Sequence, residues 1–313
     1  NKDTNKFQVN EYHKSKVEFV IIDEASMIDT ELLASLLKGI SANCKVIMVG
    51  DAYQLPSVGP GQVLHDLIES KKLPVVELKE LYRQGKDSNI ISLAYDVRKG
   101  EVVDDVFNQD EDLTFIECDD KDVLSNLMDV SQTFKDLSYK KFQILAPMYK
   151  TIHGIDAINQ KLQTIFNPKE SRKKELVVGD VIFREGDKVI ELSNMPEENI
   201  YNGDIGIIST IITQPVKKII IDFDGNEVTF TSTNFNKFRL AYAISIHKAQ
   251  GSEFDVVVMP IVKGYHKMLY RKLVYTGITR SKRLLYLIGD NNALRQAVIN
   301  VSTDIRRTTI KDF

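Results

Sequence analysis

Two adjacent acids carry the sharpest chemical signal in the sequence. Asp23 and Glu24 follow four apolar residues, 19–22, and this run predicts a buried strand that ends at the acids. Two carboxylates in such a place are costly to desolvate without a partner. A Mg²⁺ ion held by the first acid is one such partner, and the second acid can then orient and deprotonate an attacking water. A strand that simply ends in a charged turn explains these residues equally well.

The loop after a second apolar run carries the next candidate group. Residues 46–49 are apolar and precede Gly50 and Asp51, so a second buried strand is predicted there. Residues 49–61 (VGDAYQLPSVGPG) then form a loop that prolines stiffen and glycines open. The amide of Gln54 can contact a terminal phosphate and an attacking water. On its own, a glutamine in a loop is more often just a surface residue.

The elements that must position these groups alternate between apolar runs and helical stretches. This alternation predicts an α/β fold, a doubly wound parallel sheet with its sites at the carboxyl ends of the strands. The predicted strands cover residues 19–22, 46–49, 142–145, 256–259 and 284–288. The predicted helices include residues 30–40, 62–70, 123–134 and 152–166.

A different pattern occupies residues 178–240. Short strands stand close together there, with no helical segment between them, and Asp224-Gly225-Asn226 is a hairpin turn signal. The predicted strands cover residues 188–192, 205–212, 218–223 and 227–231. The pattern indicates a small antiparallel barrel inserted into the α/β part.

Five segments, in order, resemble the motifs of superfamily 1 helicases, specifically the RecD-like branch with its exodeoxyribonuclease V alpha subunits. Residues 19–26 (FVIIDEAS) and 49–61 resemble motifs II and III. Motifs IV, V and VI are resembled by residues 80–84 (ELYRQ), 243–254 (AISIHKAQGSEF) and 274–282 (VYTGITRSK). Residues 146–159 and 200–206 are similar to further RecD-family features. Gly277 and Ser281 stand where the family usually has alanine, and neither change touches an expected catalytic group.

The resemblance implies RecA-like parallel-sheet domains, the first partial and the second complete, with an inserted SH3-like β-barrel. Residues 1–82 would form the carboxyl-terminal part of domain 1A, with motifs II and III. Residues 83–177 and 241–313 would form domain 2A, with motifs IV, V and VI. Residues 178–240 would form the SH3-like domain 2B.

Roles for single residues follow from the motif matches. Asp23 would hold Mg²⁺, Glu24 would be the general base, and Gln54 would sense the γ-phosphate of ATP. Arg83 and Arg280 would reach across from the second domain to stabilise charge on the γ-phosphate oxygens. Further residues expected to bind the nucleotide are Gln250, Gly251 and Glu253. The expected contacts to single-stranded DNA are Pro56, Tyr149, Lys150, His153, Asn159, Tyr201, Asn202, His247 and Lys248.

One required part of an ATP site is missing from the sequence. ATP binding in this superfamily needs a glycine-rich loop that ends in Gly-Lys-Ser/Thr. The only Gly-Lys pair is Gly85-Lys86, which Asp87 follows and no glycine loop precedes. We therefore expect the loop upstream of Asn1, in a longer helicase of which this chain is the carboxyl-terminal portion. Alone, the chain is expected to bind ATP poorly and to hydrolyse none.

Three functions stay open at this point. The first is an ATP-driven 5′-to-3′ DNA helicase of the RecD-like type, acting alone or with other exodeoxyribonuclease V subunits or single-strand-binding protein in DNA repair. The second is the helicase region of a conjugative relaxase. The third is a non-hydrolysing single-strand DNA-binding protein.

Composition sets broader limits. The chain has 313 residues with 41 basic and 44 acidic side chains, a net charge of −3. The charges separate into an acidic stretch, 101–122, and two basic stretches, 135–174 and 263–283, and the basic ones could hold a polyanion. There is no apolar stretch of about 18 residues, so no membrane-spanning helix is expected. Two cysteines cannot form a disulfide framework, which favours a reducing, cytoplasmic location.

Overall fold

The chain forms two compact units in the computed structural model, which describes residues 7–78, 88–108, 111–265, 268–301, 306, 308 and 310. Unit 1 comprises Asn1–Tyr82 and Asn300–Phe313, and unit 2 comprises Arg83–Ile299. The carboxyl-terminal segment therefore groups with unit 1, although the sequence suggested that it continues domain 2A. Among the described residues, no helix has both the length and the apolar character needed to cross a membrane.

Unit 1 is built on two parallel strands. Its elements are β1 (Phe19–Ile22), α1 (Thr30–Gly39), β2 (Lys45–Met48) and α2 (Val63–Ser70). The two strands pair with Ile22 opposite Met48. The side chain of Asp29 caps α1 by accepting from the amide of Leu32 at 2.7 Å, which satisfies one of the free N–H groups of the first turn. Both strands thus end at the same edge of the pair.

The prediction that these two strands are buried is wrong. Phe19 and Ile21 are 56% and 69% exposed, and Ile47 and Val49 are each 47% exposed. Ile21 lies opposite Ile47, and side chains two apart share a face, so these residues line one apolar face of the pair. Within the described residues this sheet has two strands, and the side chains of that face stay largely exposed.

Unit 2 contains the parallel sheet that the sequence predicts. Its five strands lie in the order β12-β4-β13-β14-β3, all pairs being parallel. The elements of this part are α3 (Asn89–Lys99), β3 (Leu113–Glu117), α4 (Val123–Thr133), β4 (Phe142–Ala146), α5 (Ile155–Phe166), β12 (Ala243–Ser245), β13 (Phe254–Ile261), α6 (Arg271–Ile278), β14 (Ser281–Gly289) and α7 (Asn291–Ile299). Ile144, Val257 and Leu287 in the three central strands are fully buried, as expected for strands covered on both faces.

Antiparallel strands occupy the chain between α5 and β12. They are β5 (Glu175–Val178), β6 (Val181–Arg184), β7 (Lys188–Glu191), β8 (Ile205–Ile212), β9 (Lys218–Phe223), β10 (Asn226–Thr231) and β11 (Phe238–Leu240). β5 and β6 form a hairpin, and the others form a sheet in the order β10-β9-β8-β7-β11. Asp224 and Gly225, at φ 56° and 88°, make the predicted two-residue turn. The edges of this sheet are β10 and β11, which do not pair within the described residues, so the expected barrel is an open sheet here.

A buried lysine seats the antiparallel sheet on the parallel one. The ammonium of Lys188, at the start of β7, donates to the carbonyl of Phe142 at 3.1 Å and to the side-chain oxygen of Gln143 at 2.8 Å. The Gln143 amide nitrogen donates to the carbonyls of Ala241 and Tyr242. Burial lowers the pKa of Lys188 to about 7, because a charged ammonium loses its hydration there.

Candidate nucleotide and nucleic-acid sites

The paired acids lie at the carboxyl end of β1. Asp23 is exposed, and its carboxylate accepts from the amide of Glu24 at 2.8 Å. Glu24 has φ 50° and ψ 41°, the left-handed conformation, which costs a residue other than glycine about 1–2 kcal/mol. The amide of the next residue, Ala25, donates to the carbonyl of Val49 at the end of β2. The turn is therefore tied to both strands, and its strain is of a kind that gathers at functional sites.

A second polar group lies just beyond β2. The Asp51 carboxylate accepts from the Tyr53 amide at 2.9 Å and from the Gln54 side-chain nitrogen at 3.5 Å. Gln54 is buried, and its side-chain oxygen has no hydrogen-bond partner in the part of the chain that the structure describes. A buried amide oxygen left unpaired is costly, and a ligand or water that donates to it would remove that cost. The orienting role of Asp51 was missed from the sequence, although Asp-x-x-Gln after a strand fits an Asx-type turn.

The donor set of unit 1 fits a magnesium ion held together with phosphates. Among the described residues there is no cluster of three His, Cys, Asp or Glu side chains that could cage a metal. Mg²⁺ commonly binds one or two carboxylates and takes its other ligands from water and substrate phosphates. The exposed carboxylate of Asp23, at the carboxyl edge of a parallel pair, suits that arrangement.

Motif V forms a short helical turn after β12 in unit 2. The Ser245 hydroxyl caps this turn, Ile246–Ala249, by accepting from the amide of Lys248. The Lys248 ammonium donates to the side-chain oxygen of Asn202. Burial lowers the pKa of His247, so its imidazole is neutral at pH 7. Burial also lowers the pKa of Lys248, while Glu191 nearby opposes that shift.

Motifs V and VI lie side by side because β13 and β14 are neighbours. The buried guanidinium of Arg280 donates to the carbonyls of Thr276 and Ser252, each at 3.2 Å, and to the Thr279 hydroxyl at 3.3 Å. Lys282 pairs with Glu253 at 3.3 Å. The structure thus brings the expected nucleotide residues Gln250, Gly251 and Glu253 next to Arg280. The other expected arginine, Arg83, lies outside the described residues.

Several expected DNA contacts gather on unit 2 around an arginine that the sequence did not single out. The guanidinium of Arg239 in β11 lies 5.4 Å from the centre of the Tyr149 ring and 3.9 Å from the Asp156 carboxylate. Lys150 is exposed beside Tyr149, and Arg239 contributes to the lowered pKa of Lys248. Tyr201 is 47% exposed next to Asn202. We call Tyr149, Tyr201, Asn202, Arg239 and Lys248 the basic-aromatic surface.

Two of the expected DNA contacts are buried instead. The Asn159 side chain donates to the carbonyl of Ala243 and accepts from its amide, both at 2.9 Å. It therefore holds the start of β12 in place, and its amide is already satisfied. His153 is 5% exposed, and its carbonyl accepts from the Tyr265 hydroxyl. The resemblance implied strand contacts at both positions, but the two side chains are packed inside unit 2.

Three family models match the chain in succession. Residues 3–121 match an AAA domain. Residues 158–223 match the SH3 domain of ATP-dependent RecD-like DNA helicases. Residues 240–288 match the carboxyl-terminal domain of UvrD-like helicases. The first match extends beyond residue 82, and the second begins before residue 178, so the matched ranges differ from the expected domain boundaries.

Curated relatives extend beyond the chain. It is 32% identical to the ATP-dependent RecD2 DNA helicase of Deinococcus radiodurans over 92% of its length, which is 38% of that protein. It is 24% identical to the RecBCD enzyme subunit RecD of Buchnera aphidicola, over 92% of the chain and 56% of that protein. It is 26% identical to the RecBCD enzyme subunit RecD of Mycolicibacterium smegmatis, over 90% of the chain and 51% of that protein. The chain therefore spans between about two fifths and just over half of these relatives.

Solved helicase structures share the fold. One similar structure is a Pif1 helicase, solved to explain DNA unwinding at forked dsDNA by two coordinating Pif1 helicases. It matches with a TM-score of 0.56 and 22% sequence identity, and the match covers 92% of this chain and 72% of that one. Bacteroides Pif1 bound to ssDNA matches with a TM-score of 0.55 and 20% sequence identity, and the match covers 92% of this chain and 74% of that one. Pif1 from Candida albicans matches with a TM-score of 0.53 and 17% sequence identity, and the match covers 92% of this chain and 75% of that one. At these identities the likeness shows the fold alone.

Proposed function

Because the chain belongs with the RecD-like superfamily 1 helicases over the segment that it spans, we propose that it is the carboxyl-terminal part of an ATP-dependent DNA helicase motor. One observation carries the proposal. Asp23 and Glu24 follow β1, Gln54 follows β2, and these strands pair in parallel and end at one edge. An acid pair and a buried amide at such an edge are the groups that orient water and contact a terminal phosphate.

The roles that we propose within the ATP site are those that the motif matches imply. Glu24, held in a strained turn, would take the proton of the attacking water. Gln54 would offer its unpaired side-chain oxygen to that water, while Asp51 fixes the amide from the other side. By their motif matches, Arg280 and Arg83 would stabilise charge on the γ-phosphate. For Arg280 this requires its guanidinium to exchange the carbonyls of Thr276 and Ser252 for phosphate oxygens. A bound Mg²⁺, held by Asp23, would neutralise phosphate charge.

The basic-aromatic surface is the proposed site for single-stranded DNA. It combines two cations with tyrosine rings, and such groups bind phosphates and stack on bases without reading sequence. Arg239 stacked on Tyr149 fixes the ring in one orientation. The exposed ring of Tyr201 is a second stacking platform. Bacteroides Pif1, which shares the fold, is bound to ssDNA in its solved structure, and this supports a DNA strand as the ligand.

The experiment separates the two halves of the proposal. Because the chain has no glycine-rich phosphate loop, we expect it to hydrolyse no Mg-ATP while it still binds oligo-dT. Arg239→Ala should weaken oligo-dT binding by about fivefold to tenfold and reduce the salt dependence. Lys217→Ala, which removes an exposed charge from the same antiparallel module, is the matched control. Fluorescence anisotropy at several salt concentrations gives both values, and equal affinity of the two variants would contradict the assignment.

Finer properties of the whole protein belong to the same proposal. We propose 5′-to-3′ translocation, which unwinding assays on duplexes with a 5′ or a 3′ single-stranded tail distinguish. The RecBCD subunit relatives support exodeoxyribonuclease V subunits as partners, and the RecD2 relative supports action without them. Affinity purification of the longer protein from its host decides between these. A DNA substrate and two free cysteines, Cys44 and Cys118, support a reducing, cytoplasmic location.

A further inference from the structure

One arginine of the carboxyl-terminal segment, Arg306, donates hydrogen bonds to the loop that follows Gln54. The guanidinium of Arg306 donates to the backbone carbonyls of Gly59 and Gly61 through one nitrogen, at 2.6 and 2.7 Å, and to that of Ser57 through another, at 2.6 Å. These residues all belong to unit 1. A guanidinium is a planar group with five donors, so it can hold three acceptors in one fixed arrangement.

The carbonyls converge because the loop is curled. The buried Ser57 hydroxyl lies 3.2 Å from the carbonyl oxygen of Gly59 and 3.5 Å from that of Gly61. Gly61 has φ +89°, a conformation that glycine adopts without cost. The same side of the loop therefore presents three carbonyl oxygens, and these need donors once they are shielded from water.

The opposite side of the loop rests on the start of α1. The Thr30 amide donates to the carbonyl of Pro60 at 3.0 Å. A Cβ atom at Gly59 would lie 2.1 Å from the Asp29 carboxylate, and one at Gly61 would lie 2.2 Å from the Thr30 hydroxyl. The loop is thus enclosed between the amino end of α1 and Arg306. The start of α1 contacts one side of the loop, and Arg306 contacts the other.

We propose that Arg306 is a positioning residue: it clasps residues 57–61 and so holds the preceding Gln54 and Pro56 in place for nucleotide and DNA. The effect of this clasp on nucleotide and DNA binding rests on the proposed function, whereas the contact itself does not. A carboxyl-terminal segment acts here on the loop between the γ-phosphate sensor and α2. Without Arg306 three carbonyls on this side of the loop would lose their donor, and DNA binding would bear the cost of fixing the loop.

Hydrogen exchange in the chain of 313 residues tests the clasp itself. The Thr30 amide reports on the loop because its acceptor is Pro60, whereas the neighbouring Leu32 amide reports on the helix cap because its acceptor is Asp29. Arg306→Ala should speed exchange at Thr30 by about tenfold and leave Leu32 within about twofold. Lys38→Ala, which removes an exposed charge from α1, is the control and should change neither amide. Unchanged exchange at Thr30 in Arg306→Ala would overturn the clasp.

A conservative variant covers the case in which Arg306→Ala unfolds unit 1. Arg306→Lys keeps the charge but cannot span three carbonyls as a fork, so it should speed Thr30 by less than alanine does. The Val49 amide, bonded to the Ile22 carbonyl, reports on the strands. If Arg306→Lys accelerates Val49 as much as Thr30, the residue supports the whole unit and the clasp is refuted.

ATPase assays of the longer protein test the consequence. Arg306→Ala should raise the half-saturating oligo-dT concentration by about fivefold and leave kcat at saturating oligo-dT within about twofold, because bound DNA orders the loop. Arg306→Lys should restore part of the difference. A lowered kcat with an unchanged half-saturating concentration would refute the positioning role. If the wild type shows no ATPase at all, the proposed function fails, while the exchange experiment still decides whether the clasp exists.

Discussion

The two parallel sheets have similar sequences and different surroundings. β1 and β2 in unit 1, like β14 in unit 2, contain apolar runs followed by glycine or acids. Leu285 and Leu287 of β14 are buried, whereas Ile21 of β1 is 69% exposed. An apolar run therefore indicates that a strand is suited to burial. It does not show that other residues of the same unit bury it.

This difference bears on what the chain is. A strand that is apolar on both faces suits a sheet covered on both sides, and within the described residues unit 1 covers one side of its pair. The chain spans 38% of its RecD2 relative. We expect the exposed face of β1 and β2 to be covered by other parts of the longer protein, which would also supply the phosphate loop.

The largest expected contrast comes from one substitution made in both units. Leu285→Ala removes a buried side chain of the five-stranded sheet and should lower the free energy of unfolding of unit 2 by about 2–5 kcal/mol. Leu37→Ala in α1, where the side chain is 50% exposed, should change stability by less than about 0.5 kcal/mol. Urea denaturation followed by circular dichroism measures both. Equal losses would show that the two units are equally well packed.

A pH dependence should belong to unit 2 alone. With the pKa of Lys188 lowered to about 7, the folded chain binds fewer protons than the unfolded chain between about pH 7 and pH 10. Stability should therefore rise with pH in this range, by up to about 1.4 kcal/mol per pH unit. Below about pH 7 the lysine is protonated in both states, and its contribution to the slope vanishes.

Lys188→Met removes the titrating group for comparison. The groups that contact it are the Phe142 carbonyl and Gln143 on β4, and the Phe254 ring on β13. The variant should lose the rise in stability that the lysine causes between about pH 7 and pH 10. A wild-type slope that survives in the variant would assign the effect elsewhere.

The smallest effect in the chain is expected at the exposed face of unit 1. Ile21→Ser should cost less than about 0.5 kcal/mol in the chain of 313 residues, because the side chain is already in water. In the longer protein the same change should cost about 1–3 kcal/mol, because the face is expected to be covered there. Ile299→Ser, at a residue 61% exposed in α7, should cost little in both. A small loss at Ile21 in the longer protein would contradict the expected cover.

Local patterns predicted much of the fold. β1, β8 and β9 lie at the predicted residues, and the turn at Asp224 and Gly225 has the expected conformation. These elements depend on alternation, apolar runs and turn residues within a few positions. The hairpin of β5 and β6 was not predicted.

Long-range packing explains what the sequence did not predict at the sites. Asn159 is polar and lies near a motif, yet its amide is used by Ala243, 84 positions away. Arg239 in β11 lies over the Tyr149 ring although the two residues are far apart in the sequence. Arg306 meets Gly59 across 247 positions. No local pattern encodes such contacts, whereas motif spacing did identify Asp23, Glu24 and Gln54 as a group.

The most direct test of the helicase motor is the DNA-stimulated ATPase of the longer protein carrying Glu24→Gln. The amide keeps the size of the side chain but cannot take a proton from water, so kcat should fall by at least about 10²-fold, while oligo-dT affinity and the melting temperature stay unchanged. Glu31→Gln, which neutralises an exposed acid in the first turn of α1, should retain wild-type turnover. Near-wild-type turnover in Glu24→Gln would contradict the assignment of this edge of unit 1 as the site of ATP hydrolysis.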